Sequence, residues 1–308
     1  MVSGGESILL GIERGAQQPG SRTKVFGPLF ALALRSPRTA RAVRGPLVRM
    51  ALACSGELRG NLDANATGLL GAGCSRAERR ALARAALANF YDFVVDTAAA
   101  ARLSAGELSA RIARVEGEAA YRAVRAAGRG CVVVTAHMGS FEIGLAALAR
   151  VERRVHVVFR RDDAAAFEEI RARLRRGFGI VEAPIDDGLA TWMALRDALR
   201  RDEVVVMQGD RALDGQRSIV MPFVRGWLRV PTGPARLALL AGAPLVPAVT
   251  LRESGDTFAV HMLKAVEATR DEAETTRRVV GALEGIVTEH PAQWLALHRA
   301  FEKDGADA

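Results

Sequence analysis

From Gly130 to Met262 the chain repeats one pattern, a short uninterrupted apolar run followed by a polar turn and a helix-length segment. The clearest runs are Val132 to Thr135, Val155 to Phe159, Val204 to Met207 and Leu245 to Leu251. Strands that are apolar at every residue, rather than at alternate ones, belong in a sheet covered on both faces. The segments between them, 140–151, 164–178, 189–201 and 234–241, have the length of the covering helices. Thr257 to Met262 reads as an added antiparallel strand and Asp271 to Glu289 as a closing helix. The fold class expected is α/β, a mixed and mostly parallel sheet flanked by helices, with a helical N-terminal region ahead of it.

That helical region carries its own start signals. Ser75-Arg-Ala-Glu78 and Ser104-Ala-Gly-Glu107 both have capping-box spacing. They predict one helix to about Ala101, with Leu82, Ala86, Phe90 and Val94 on one face, and a further helical segment reaching Ala127. Charge sets residues 1–56 apart from residues 57–308. The net charge is +8, and no acid lies between Arg14 and Gly56, where Arg22, Lys24, Arg35, Arg38, Arg41, Arg44 and Arg49 alternate with apolar residues such as Phe26, Phe30, Leu47 and Met50. Such an arm suits an anionic membrane surface, where each basic residue contributes about 1 kcal/mol. It equally suits a basic helical pair packed on the protein's own core. Nucleic acid is a poor match, because two Tyr and three Trp leave little for base stacking.

Other classes drop out. The longest apolar candidate, Ala235 to Leu251, is interrupted by Arg236, Gly242, Pro244 and Pro247, so no spanning helix is expected. Met1 to Gly15 lacks the basic and apolar regions of a secretory signal, which places the chain in the cytoplasm. Cys54, Cys74 and Cys131 have neither zinc nor redox spacing, and no metal site is expected. There is no G-x-S-x-G nucleophile elbow and no phosphate-binding P-loop.

What chemistry the chain offers collects at predicted strand ends, where ligand sites of α/β sheets lie. The first strand runs into His137-Met-Gly139-Ser-Phe-Glu142. An imidazole held by a carboxylate can take a proton from an alcohol near neutral pH. The two converge only if His137 lies in the turn before the helix, and the same residues also fit a polar cluster at a helix start. Gly139 permits a close approach of backbone to substrate. Arg160, after the second strand, presents a donor fork to a phosphate, with Arg161 beside it and Asp162 or Asp163 as a helix cap. After the third, Gln208-Gly-Asp210-Arg211 leads to Arg217 at the start of a returning apolar strand. Asp210 and Arg211 either pair with each other or face the cleft of His137. Thr232 and Pro234 then open a helix whose free amides suit an anion.

Taken in order, these clusters resemble the bacterial lipid A biosynthesis acyltransferases. His137-Met-Gly-Ser-Phe-Glu142 is similar to that family's H-x4-E signature, and Gly209-Asp210-Arg211 with Gly215, Ser218 and Pro222-Phe223 to its second region. Pro231-Thr-Gly-Pro-Ala-Arg-Leu-Ala and Gly242-Ala-Pro-Leu-Val-Pro resemble the third, and Pro291-Ala-Gln293-Trp294 through Arg299 the closing segment. The likeness runs from about residue 57 to residue 301. It implies transfer of a fatty acyl group from acyl carrier protein or acyl-CoA to a hydroxyl of a lipid or glycolipid, with no further cofactor and no acyl-enzyme. His137 would be the general base oriented by Glu142, and Arg160, Asp210, Arg211 and Arg217 would help position substrates. The site would work at the cytoplasmic face of the inner membrane, with the enzyme held peripherally. Members of that family usually begin with an apolar membrane-anchoring helix, and here the stretch from Phe26 to Leu34 reads as too short and too interrupted by Pro28 to span. A second reading keeps the fold without turnover, as a lipid-binding or complex-forming member.

Overall fold

The computed structural model describes residues 32–302, apart from 34, 161–164 and 214. Most of the basic arm before residue 32, with Arg161, Asp162 and Asp163, lies outside the described residues. The helical lead-in comprises α1 (Pro37–Ala42), α2 (Arg44–Cys54), α3 (Gly56–Leu70), α4 (Arg76–Ala100) and α5 (Ala105–Ser109). Both capping boxes form, Ser75 with Glu78 at the start of α4 and Ser104 with Glu107 at the start of α5. The α/β part follows as β1 (Ile112–Glu116), α6 (Glu118–Ala126), β2 (Cys131–Thr135), α7 (Phe141–Val151), β3 (Val155–Phe159), α8 (Ala165–Gly177), β4 (Val181–Pro184), α9 (Leu189–Arg200) and β5 (Val204–Gln208). It continues with β6 (Ser218–Phe223), β7 (Gly226–Pro231), α10 (Gly233–Ala241), β8 (Leu245–Arg252), β9 (Phe258–Met262), α11 (Glu272–Glu289) and β10 (Phe301–Glu302).

Seven strands form the main sheet in the order β1-β9-β8-β2-β5-β3-β4. Its central pairings are parallel, and β9 runs antiparallel to β8 as its sequence suggests. β2 and β5 are buried almost throughout, which is why each is apolar up to its last residue, Thr135 in β2 and Gln208 in β5. One face packs on α9, α10 and α11 through Val132, Val134, Leu195, Leu237 and Leu283. The other packs on α7 through Val133, Leu145, Leu148, Val157 and Val206. A small antiparallel sheet, β10-β7-β6, closes the first face, with the Phe301 ring filling the space left by Gly68 and Gly226.

One expectation fails between residues 104 and 127. The helix from Ser104 ends at Ser109, and Ile112–Glu116 pairs in parallel beside β9 as an edge strand before α6 begins. Pairing with an existing strand outweighs the local helical preference of that short segment.

The described part of the arm packs on the protein's own helices. Asp92 and Asp96, buried on α4, receive Arg44 and Arg41 respectively, and the Tyr91 hydroxyl donates to the Ala40 carbonyl at 2.7 Å. Asp96 also accepts from Arg252 at the end of β8, at 2.6 Å. Burial raises the Asp92 carboxyl above its ordinary range despite the nearby Arg252 and Arg44. Arg35, Arg38, Arg49 and Met50 stay exposed on the outer side. Among the described residues, no helix is long and apolar enough to cross a membrane.

Candidate active site

β2 and β5 pair in parallel with Thr135 opposite Gln208. Two residues beyond the end of each strand stand His137 and Asp210, so strand register brings this imidazole and this carboxylate to one spot. The His137 Nδ1 and an Asp210 carboxylate oxygen are 2.8 Å apart. The other Asp210 oxygen accepts the backbone N–H of His137 at 2.9 Å and the Trp294 Nε1–H at 2.8 Å. Burial pushes the Asp210 carboxyl up, but the His137 imidazole and these donors outweigh it and hold the pKa below the ordinary value. An ionised Asp210 accepts from Nδ1–H, which leaves Nε2 as the free lone pair of the imidazole. The His137 side chain is 31% exposed, whereas Asp210 is buried.

A strap of chain supplies Trp294. Leu295 donates its N–H to the His137 carbonyl at 2.7 Å, and Gly139 donates to the Gln293 carbonyl at 2.9 Å. The Gln293 side chain exchanges two hydrogen bonds with the backbone of Arg252 at the end of β8. Further on, Asn65 of α3 donates to the carbonyls of Ala296 and His298 and accepts from the Ala300 N–H. Gly139 has φ +55, and a Cβ there would stand 2.0 Å from the Thr250 carbonyl oxygen. The close approach that Gly139 permits is therefore to strand β8. Trp294 was legible only as part of the closing segment, because nothing local in the sequence ties its indole to residue 210.

Glu142 goes elsewhere. It sits in the first turn of α7, and its carboxylate accepts from Arg171 Nε and Arg175 Nη2, both at 2.7 Å. Glu142 and Arg175 are 1% and 0% exposed. Desolvation opposes ionisation of Glu142, yet Arg171 and Arg175 lower its pKa overall. The expected orienter of His137 is thus an ion-pair centre that ties α7 to α8, and Asp210 holds the imidazole instead. The reason is geometric. His137 remains in the loop at the strand end, while Glu142 has already entered the helix and points across to α8.

Below this edge of the sheet an apolar cleft opens between the strands and α7, with about 630 Å³ of open space including its mouth. Thr135, Phe141, Gln208 and Thr250 line its upper part, and Val133, Leu145, Leu148, Val157 and Val206 its depth. Phe141 connects the two regions, since its ring meets the His137 ring edge-on at 6.4 Å. The Arg175 guanidinium also borders the cleft and lies 4.7 Å over the Phe159 ring. Cys131 lies at the base of β2, and burial pushes its thiol up to about 12, too high for a nucleophilic thiolate at neutral pH.

The remaining expected residues divide by position. Arg160 is exposed at the carboxyl end of β3 and Arg211 is exposed directly after Asp210, both on the edge of the sheet that carries His137. Arg217 is exposed at the start of β6, and its carbonyl receives the Thr232 N–H at 3.1 Å. Asp210 faces His137 in preference to pairing with Arg211. His298, on the strap, is missing from the expected set. Burial, with Arg211 and His137 nearby, pushes its pKa down to about 4. A histidine kept neutral by the fold takes up a proton on unfolding, so stability is present above pH ~6.5 and falls as pH drops toward about 4. His298→Gln should remove this part of the acid sensitivity in thermal melts recorded between those pH values.

The chain matches the family model described as bacterial lipid A biosynthesis acyltransferase over residues 25–303. It is also similar to the phosphatidylinositol mannoside acyltransferase of Mycobacterium tuberculosis, in two strains, at 26% identity over 184 residues. That stretch covers 59% of this chain and 58% of the relative. With a match over nearly its whole length, the chain belongs to the bacterial lipid A biosynthesis acyltransferase family.

Proposed function

We propose that this protein transfers a fatty acyl group from a carrier thioester directly to a hydroxyl of a lipid or glycolipid. The observation that carries the reading is the His137–Asp210 pair, two residues beyond Thr135 and Gln208 of an apolar cleft and joined to it by the Phe141 ring. His137 Nε2 takes the proton of the acceptor hydroxyl while Asp210 stabilises the imidazolium. The freed oxygen attacks the thioester carbonyl carbon, the C–S bond breaks, and the imidazolium returns its proton to the departing thiolate. The apolar walls of the cleft, Val133, Leu145, Leu148, Val157 and Val206, suit an acyl chain held away from water. Exposed Arg160, Arg211 and Arg217 offer forks to phosphate groups of acceptor or donor. Gly139 shapes the loop that presents His137 to both.

Acyl-CoA and acyl carrier protein present the same thioester to this site and need no further cofactor. Arg35, Arg38, Arg49 and Met50 on the outer side of the arm suit peripheral attachment to an anionic membrane at the cytoplasmic face of the inner membrane. The test is to incubate the purified protein with bacterial membrane lipids and each acyl donor, then weigh the lipids by mass spectrometry. A gain of one acyl mass in one lipid class is expected. Lipids that bind but keep their mass with every donor would favour a non-catalytic, lipid-binding member of the fold.

A further inference from the structure

Gln208 ends β5 and lines the cleft, two residues before Asp210. Its side-chain Nε2 is buried and has no hydrogen-bond partner among the described residues. An unanswered donor in a largely apolar wall is unfavourable for the fold, since it has lost water and gained nothing in return. Its position narrows what would answer it. Gln208 faces Thr135 across the β2–β5 pairing and shares its side of the sheet, one layer beneath the His137–Asp210 pair. The next layer down on these strands is Val133 and Val206. An acyl chain lying with its tail on the Val133–Val206 layer places its thioester carbonyl at the level of Gln208. That carbonyl oxygen accepts a hydrogen bond well, and it gains negative charge during transfer.

We propose that Gln208 is a further catalytic residue, whose Nε2–H donates to the carbonyl oxygen of the acyl thioester and stabilises the oxyanion formed there. The proposal rests on the acyl-transfer reading above. As the acceptor oxygen bonds to the carbonyl carbon and its proton passes to His137, the C=O electron pair moves onto oxygen, where the amide meets it. The pair returns as the C–S bond breaks, and the thiolate leaves with the proton from His137. Thr135 lies beside this amide, but its hydroxyl is directed to the Ala136 carbonyl at 3.4 Å.

The test compares Gln208→Leu and Gln208→Glu with the unaltered enzyme, the second substitution keeping the shape while removing the N–H donor. Both should lower kcat about 100-fold, the scale of losing one oxyanion donor, with the acyl-donor KM within about 3-fold. Gln208→Leu should melt no lower than the unaltered protein, because it removes an unpaired polar group, whereas a purely structural glutamine would lower the melting temperature. Binding is read with two non-transferable pantetheine ligands, a 2-oxoalkyl thioether that keeps a carbonyl and an alkyl thioether that lacks one. The unaltered protein should prefer the carbonyl ligand about 10-fold, the value of one hydrogen bond, and Gln208→Leu should bind both equally. Unchanged kcat, or a preference that survives in Gln208→Leu, would overturn the assignment while leaving the acyl cleft in place. If the unaltered protein binds neither ligand, the acyl-cleft reading itself fails, and the role of Gln208 with it.

Discussion

His137→Ala should reduce acyl transfer by about 10²–10⁴-fold or more, and Asp210→Asn should approach the same loss, the range for removing or misorienting a general base. Both follow from which nitrogen carries the proton. Asp210 accepts from Nδ1–H and leaves Nε2 open to the acceptor hydroxyl. An asparagine there can turn its NH₂ toward Nδ1, which forces the proton onto Nε2 and leaves no lone pair facing the substrate. The backbone of His137 and the Trp294 indole still find the amide oxygen, so the loop should hold its shape. The decisive comparison is single-turnover transfer at saturating donor, alongside circular dichroism. Near-normal transfer by a well-folded Asp210→Asn protein would remove Asp210 from the mechanism.

Glu142→Ala should fail differently. It leaves Arg175 fully buried, with Arg171 nearly so, and takes away the carboxylate that both share. Removing one partner of a buried ion pair costs about 3–5 kcal/mol, and Glu168 and Glu182, 3.4 and 3.2 Å from Arg175, keep this loss at the low end of that range. For a protein of this size that corresponds to a fall in Tm on the order of 10 °C. Activity should decline as the folded fraction declines and recover in part on cooling, which Asp210→Asn would not do. Because Arg171 and Arg175 depress the Glu142 pKa, the pair's contribution to stability is complete above pH ~4.5 and disappears as pH falls through the lowered value. The unaltered protein should therefore lose this increment on acidification below pH ~4.5, and Glu142→Ala, already without it, should show a shallower loss. A Glu142→Ala protein with unchanged Tm and no activity would return Glu142 to the chemistry.

These two acids show where sequence reading reaches its limit. His137 was legible because it closes an apolar strand, and strands β2, β3, β5 and β8 and their helices were legible because burial on both faces leaves an unbroken apolar signature. Glu142 lies five residues from His137, and nearness along the chain made it the natural partner. The true partner of His137 lies 73 residues away and is selected by the pairing of Thr135 with Gln208. Sequence carries no direct record of that register. Arg171 and Arg175 posed the same difficulty, four apart on a helix full of charges, where burial separates an ion-pair centre from a solvated face. Ile112 to Glu116 was hidden because its strand character comes from β9, which follows it by more than a hundred residues.

Trp294 and the strap around it also bear on when the protein can first act. Residues 137 and 210 emerge from the ribosome well before residue 294, and both strands can pair without it. Until the strap arrives, however, Asp210 lacks its indole donor, and the His137 loop lacks its contacts with Gln293 and Leu295. A nascent or shortened chain that stops before residue 293 would carry every residue of the base pair and still not hold it in place. The His137–Asp210 geometry is therefore completed by residues near the end of the family match, long after both of its strands have been made.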